Sequence, residues 1–171
     1  MRDHSHNDYL QGLLSSSLAS CITSLGGVQA ISAEEWEALA ESQNTRLVVL
    51  TLSGYSLRCL LALVADGTNA TRSMDDDELQ ELANNLCGTL KRQLSAVFPQ
   101  LGMSTPNALP VACIAYLQEA EQLMMAVHGV ATDGSSLTAC LLVLQADDDW
   151  APPAAQLNAP EPEVLGELEL F

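Results

Sequence analysis

Glu81, Asn84, Asn85, Gly88 and Arg92 lie three, one, three and four residues apart along one stretch of the chain. At about 100° per residue, that spacing brings all five onto one side of an α-helix. A carboxylate and a carboxamide one turn apart can reach into the same cleft. The carboxylate can hold a cation, while the carboxamide can donate to one oxygen and accept from a water. Asn has no base strength to speak of, so the pair can position reactants but cannot abstract a proton. Asn and Gly each cost roughly 0.5 to 1 kcal/mol relative to Ala inside a helix, whereas a solvated face ordinarily takes Glu, Lys, Gln or Ala. Such rules broken together on one stripe mark a candidate site. Two plainer readings stand beside it: an exposed Asn is often merely tolerated, and Gly88 can admit the close approach of a neighbouring strand.

The helix that must carry this stripe runs over Glu78 to Lys91 (ELQELANNLCGTLK), with Leu79, Leu82, Ala83, Leu86, Leu90, Leu94 and Val97 gathered on the opposite side. Asp75, Asp76 and Asp77 precede it, where acidic residues suit the helix dipole and one can serve as N-cap. A first long helix is predicted over Asn7 to Leu25, closed by Gly26-Gly27. Ser32-Ala33-Glu34-Glu35 has the form of a capping box opening a short helix to about Glu41, with Trp36 and Leu39 as anchors. Arg46 to Leu52 and Ser56 to Ala65 flank Ser53-Gly54-Tyr55 as a hairpin. After a Pro- and Gly-punctuated connection over Phe98 to Pro110, three antiparallel strands are expected at Val111 to Leu117, Gln122 to Val130 and Ser136 to Leu144. The fold class is therefore an α/β (α+β) sandwich, two long helices packed on a mainly antiparallel sheet of five strands. The long apolar runs within Leu57 to Ala65 and Leu137 to Leu144 imply strands covered on both faces, or one face buried in a dimer.

Glu81-Leu82-Ala83-Asn84, followed after three residues by Gly88, resembles the E-x-x-N…G signature of the CheC/CheX/FliY chemotaxis phosphatases. The order of elements over about residues 7 to 145 matches as well: an amphipathic helix, a strand pair, the central helix, a Ser104-Thr105-Pro106 turn and further strands. The resemblance implies a CheX-like domain whose acidic residue and amide enter the active site of a phosphorylated CheY-like response regulator. Asn84 would position the water that attacks the aspartyl phosphate, and Glu81 would pair with the regulator's lysine. Asn85, Gly88 and Arg92 would meet the partner around them. Phosphoryl transfer asks for positioning and charge stabilisation more than for a strong nucleophile, which suits these residue types. The regulator would supply the phosphoaspartate and Mg²⁺, so no cofactor of the chain's own is implied. A homodimer paired through sheet edges is also implied. The chain differs from the family in four respects. Asn85 stands beside Asn84, Thr89 takes a place often held by Asn, and the stretch Asp66 to Met74 is short. The first helix carries no second E-x-x-N, so one centre per chain is expected.

The 171 residues, 48% of them hydrophobic, suffice for one core. We expect one domain over residues 1–145 and an acidic, Pro-rich, extended tail over 146–171. Six basic against 22 acidic residues give a net charge of −16, which repels phosphate backbones and anionic lipid, so neither nucleic acid nor a membrane is expected as partner. Five cysteines lie scattered in apolar segments without C-x-x-C, as small buried hydrophobes of a reducing, cytoplasmic compartment. His4 and His6 fall in a stretch expected to fray, and His128 in a strand where a satisfied core or edge role is expected; no metal site is expected from them. There is no G-x-S-x-G and no phosphate-cradling glycine run. A non-catalytic adaptor that binds a regulator or signalling assembly, and a small-ligand sensor, are the alternatives to a phosphatase.

Overall fold

Leu57–Asp66 and Ser136–Ala146 are apolar at nearly every position, and both become central strands covered on either side. The structure, a computed structural model, describes residues 4–22, 24–118, 123–147 and 149–153. In chain order the elements are α1 (His4–Cys21), β1 (Leu25–Ile31), α2 (Ala33–Ala38) continued by a 3₁₀ turn (Leu39–Glu41), β2 (Thr45–Ser53) and β3 (Leu57–Asp66). There follow α3 (Asp76–Leu94), β4 (Gly102–Met103), β5 (Asn107–Leu109), α4 (Cys113–Gln118), β6 (Leu123–Ala131) and β7 (Ser136–Ala146). The sheet runs β1-β6-β7-β3-β2-β4, with β5 also on β2, and every pairing is antiparallel.

Strand alternation sends successive side chains to opposite faces, and the two faces carry separate cores. One gathers Leu61, Leu63, Val127 and Leu141 from the sheet under Leu14 and Leu18 of α1 and Leu79, Leu86 and Leu90 of α3. The other gathers Ala62, Val64, Ala126, Cys140 and Leu142 under Trp36 of α2 and Ile114 of α4. The apolar runs of β3 and β7 are thus covered on both sides by the chain's own helices. Each buried Leu contributes roughly 1.5–3 kcal/mol of hydrophobic stabilisation, so the two long helices are fastened chiefly by their leucines.

The sandwich and its two long helices stand as expected, with three local corrections. Val111 to Leu117 is not a strand: it leads into α4, because a short apolar run does not by itself distinguish strand from buried helix. Gly26 and Gly27 do not close the first helix, which ends at Cys21; they lie within β1, at a β-bulge between Leu25 and Val28 where Gly27 takes φ 144°. Finally, the connection over Phe98 to Pro110 contains β4 and β5; with these and β1 gained and Val111 to Leu117 lost, the sheet has seven strands rather than five.

The segment expected to fray is helical from His4. His6 stacks on Trp150, ring centroids 4.3 Å apart, and its Nε2 meets the Trp150 carbonyl at 2.9 Å. Tyr9 and Phe98 complete this cluster, so the packed fold continues past β7 to Trp150. Most of the tail expected over 146–171, from residue 154 onward, lies outside the described residues, as does the connection over 119–122.

Candidate functional site on the outer face of α3

Capping sets where α3 begins. Asp75 is the N-cap: its carboxylate accepts from Glu78 N at 2.8 Å, and Glu78 returns a carboxylate to Asp75 N at 3.0 Å, a complete capping box. Arg46 pairs with Asp76 and Arg72 with Glu78, which ties the first turn to β2 and to the preceding loop. That loop is fixed in turn, since Thr71 N donates to Asp133 O at 3.0 Å. Gly134, at φ 85°, lies so close that a Cβ there would meet Asn69 O at 2.3 Å.

From this start the helical period does the rest. Leu79, Ala83, Leu86, Cys87, Leu90 and Leu94 are fully buried, while Glu81, Asn84, Asn85 and Arg92 are exposed and Gly88 is half-buried. The five residues expected as the site therefore share one outer strip, spanning about 100° of the helix surface. Glu81 and Asn84 are about 4.5 Å apart along the axis, and among the described residues neither they nor Asn85 has a side-chain hydrogen bond or ion pair. Their polar atoms are satisfied by none of the described residues and face outward. Asn85 is turned about 100° from Asn84 and about 40° from Glu81, so the two amides cannot point at one atom from the same side.

Gly88 settles one of the plainer readings. A Cβ built there meets nothing within 4 Å, so no neighbouring strand requires the glycine. Its cost to the helix, about 1 kcal/mol relative to Ala, is offset by no contact among the described residues.

Arg92 Nη2 donates to Thr89 Oγ1 at 3.0 Å, which lays the guanidinium back over the preceding turn. The Thr89 hydroxyl also lies 3.9 Å from Cys21 Sγ at the end of α1. In the sequence Thr89 is only a departure from the family's pattern; its spacing of three before Arg92 permits this contact without announcing it. Beside the helix, the turn at Ser104 to Pro106 is held to β2 by Thr51 N donating to Ser104 Oγ at 2.9 Å and Ser104 N donating to Thr51 O at 3.0 Å.

The remaining candidates do not join this strip. His128 hydrogen-bonds Thr138 Oγ1 through Nδ1 at 2.9 Å, beside a shallow notch of about 430 Å³ between β1 and β6. Strand alternation puts His128 on the α2/α4 face, across the sheet from α3. Among the described residues, no three His, Cys, Asp or Glu side chains are grouped to hold a metal ion, and no helix is long and apolar enough to cross a membrane. The five cysteines are free. Burial pushes the Cys59 thiol up to about 12 and the Cys87 thiol up to about 11, and raises that of Cys140 as well.

No family model and no curated protein matches the chain. Solved structures do match in shape. The CheX of a CheX-CheY-BeF3-Mg²⁺ complex from Borrelia burgdorferi superposes with a TM-score of 0.51 at 14% identity, over 80% of this chain and 96% of that one. A CheC-like superfamily protein from Shewanella sp. PV-4 gives 0.49 at 13% identity, over 78% and 95%. The chemotaxis protein CheX from Vibrio vulnificus gives 0.48 at 14% identity, over 82% and 98%. The element order, the antiparallel sheet and the Borrelia superposition agree: this chain is folded as a CheX-like domain.

Proposed function

We propose that the chain is a phosphatase that hydrolyses the aspartyl phosphate of a CheY-like response regulator in chemotaxis or two-component signalling. The observation that carries this reading is the exposed Glu81 and Asn84 pair, unpartnered among the described residues and one turn apart on the face of α3 opposite its leucines. The carboxylate docks against a lysine of the regulator, and the carboxamide accepts a hydrogen bond from the attacking water and aligns it with the phosphorus. Asn85 and Gly88 shape the contact around them. Mg²⁺ and the phosphoaspartate belong to the regulator, as the CheY, BeF3 and Mg²⁺ named with the Borrelia CheX suggest. This chain contributes position and a dry surface. The activity resides in the folded domain, which packs as far as Trp150, and the tail beyond it is not part of the reacting surface.

The test is single-turnover phosphate release from a phosphorylated, Mg²⁺-loaded regulator, comparing the wild type with Asn84→Ala and with a chain ending at Trp150. Wild type and truncated chain are expected to accelerate release alike, and Asn84→Ala to lose the acceleration. Equal rates for wild type and Asn84→Ala would defeat the assignment. An adaptor would instead bind the regulator without changing its rate of phosphate loss.

A further inference from the structure

The outer strip of α3 is electrically divided, and its basic end has no counter-ion among the described residues. Of the described cations, Arg46 is taken by Asp76 and Arg72 by Glu78. Arg58, Lys91 and Arg92 have no ion pair among the described residues, and two of these three are neighbours on the last turns of α3. The sequence keeps them so: the positions three and four residues away from Arg92 are Thr89, Gly88, Ser95 and Ala96, and those around Lys91 are Gly88, Cys87, Leu94 and Ser95. None of the chain's 22 acidic residues occupies a helical position from which it could neutralise them.

The helix dipole favours cations at this end by about 0.3–1 kcal/mol. That preference would be met anywhere around the last turn, and it does not explain why Arg92 falls in line with Glu81 and Gly88. Its single bond to the Thr89 hydroxyl fixes the guanidinium while leaving most of its five N–H donors free. A guanidinium held in place without a carboxylate suits bidentate capture of one. Arg92 also cannot serve the reacting phosphoryl group. It lies about 12 Å along the axis from Asn84, and Thr89 draws it to the α1 side of the strip.

We propose that Arg92, assisted by Lys91, receives a surface carboxylate of the response regulator, making a second contact about 16 Å along the helix axis from Glu81. The inference rests on the functional reading above and adds the partner's chemistry: a cation opposite Glu81 and an acid opposite Arg92. Such a two-point charge pattern fixes the orientation of the regulator on a chain that otherwise repels acidic surfaces.

The experiment titrates a labelled CheY-like regulator, saturated with beryllium fluoride and Mg²⁺, with wild type, Arg92→Lys, Arg92→Gln and Arg92→Glu at low and high salt. Arg92 is exposed, so all four should fold. The expected order of Kd is wild type, Lys, Gln, Glu, with Gln weakened about 5-fold and Glu 10-fold or more. The Gln-to-wild-type ratio should shrink toward one at high salt, where an exposed pair is screened. In turnover assays the loss should fall on KM and leave kcat in place. Equal Kd values, a ratio indifferent to salt, or a loss confined to kcat would each overturn the proposal. Binding with this Arg92 dependence but no hydrolysis would defeat only the phosphatase reading. Hydrolysis that needs Asn84 but ignores Arg92 would defeat only this inference, and a wild type that does not bind would defeat both.

Discussion

The two long helices, α1 and α3, are near equals as structural parts. They are 18 and 19 residues long, pack on the same face of the sheet and bury leucines into one core. They touch through Ser17, whose buried hydroxyl donates to Gln93 Oε1 at 2.9 Å. Their outer faces differ. α1 presents Asp8, Gly12, Ser16, Ala19 and Ser20 to solvent, without a carboxamide; α3 presents Glu81, Asn84, Asn85 and Arg92. The same packing demand therefore leaves the outer face of a helix free, and the difference between the two outer faces is where a function can be read.

The largest effects should be shared by the helices. Leu14→Ala and Leu86→Ala each remove a fully buried side chain and should each cost about 2–5 kcal/mol in chemical denaturation; an Leu86→Ala protein of wild-type stability would break the equivalence. The outer faces should then separate. Asn84→Ala should lower catalysed phosphate release roughly 100-fold with no change in denaturation midpoint, whereas Ser16→Ala on α1 should change neither.

Each helix also carries one cysteine, Cys21 half-buried and Cys87 buried. Desolvation by burial, only partly offset by nearby Lys91, pushes the Cys87 thiol up to about 11. At pH 8 its thiolate is then about a hundredfold scarcer than that of an ordinary thiol, so mass spectrometry after brief alkylation should find Cys21 labelled before Cys87. The smallest change should be Gly88→Ala. It fills open space and should raise stability by about 0.5–1 kcal/mol, yet weaken binding of the regulator. A variant both more stable and fully active would return Gly88 to a tolerated accident.

The periodic parts of this molecule were legible in its sequence. The 3.6-residue recurrence of leucines placed α3 and its strip, the Ser32 capping box placed α2, and the β2–β3 hairpin followed from Ser53-Gly54-Tyr55. What failed were segments whose structure depends on remote neighbours. Gly26-Gly27 reads as a helix stop, because nothing local says that β6 offers an edge for them to join. Val111 to Leu117 has the length and apolarity of a strand, and only the vacant half of the sheet beside Trp36 makes its larger part a helix. At the site, residue types and faces were readable. The bond between Thr89 and Arg92 and the empty space at Gly88 required coordinates, because they concern what surrounds a side chain.

The stacking of His6 on Trp150 joins residues 144 positions apart. The packed part of the polypeptide thus closes into a loop, with His6 against Trp150. A gene rearranged to join the stretches around His6 and Trp150 and reopen at Tyr55, which is 95% exposed at the tip of a hairpin, would encode every contact beneath the helices in a new order of synthesis.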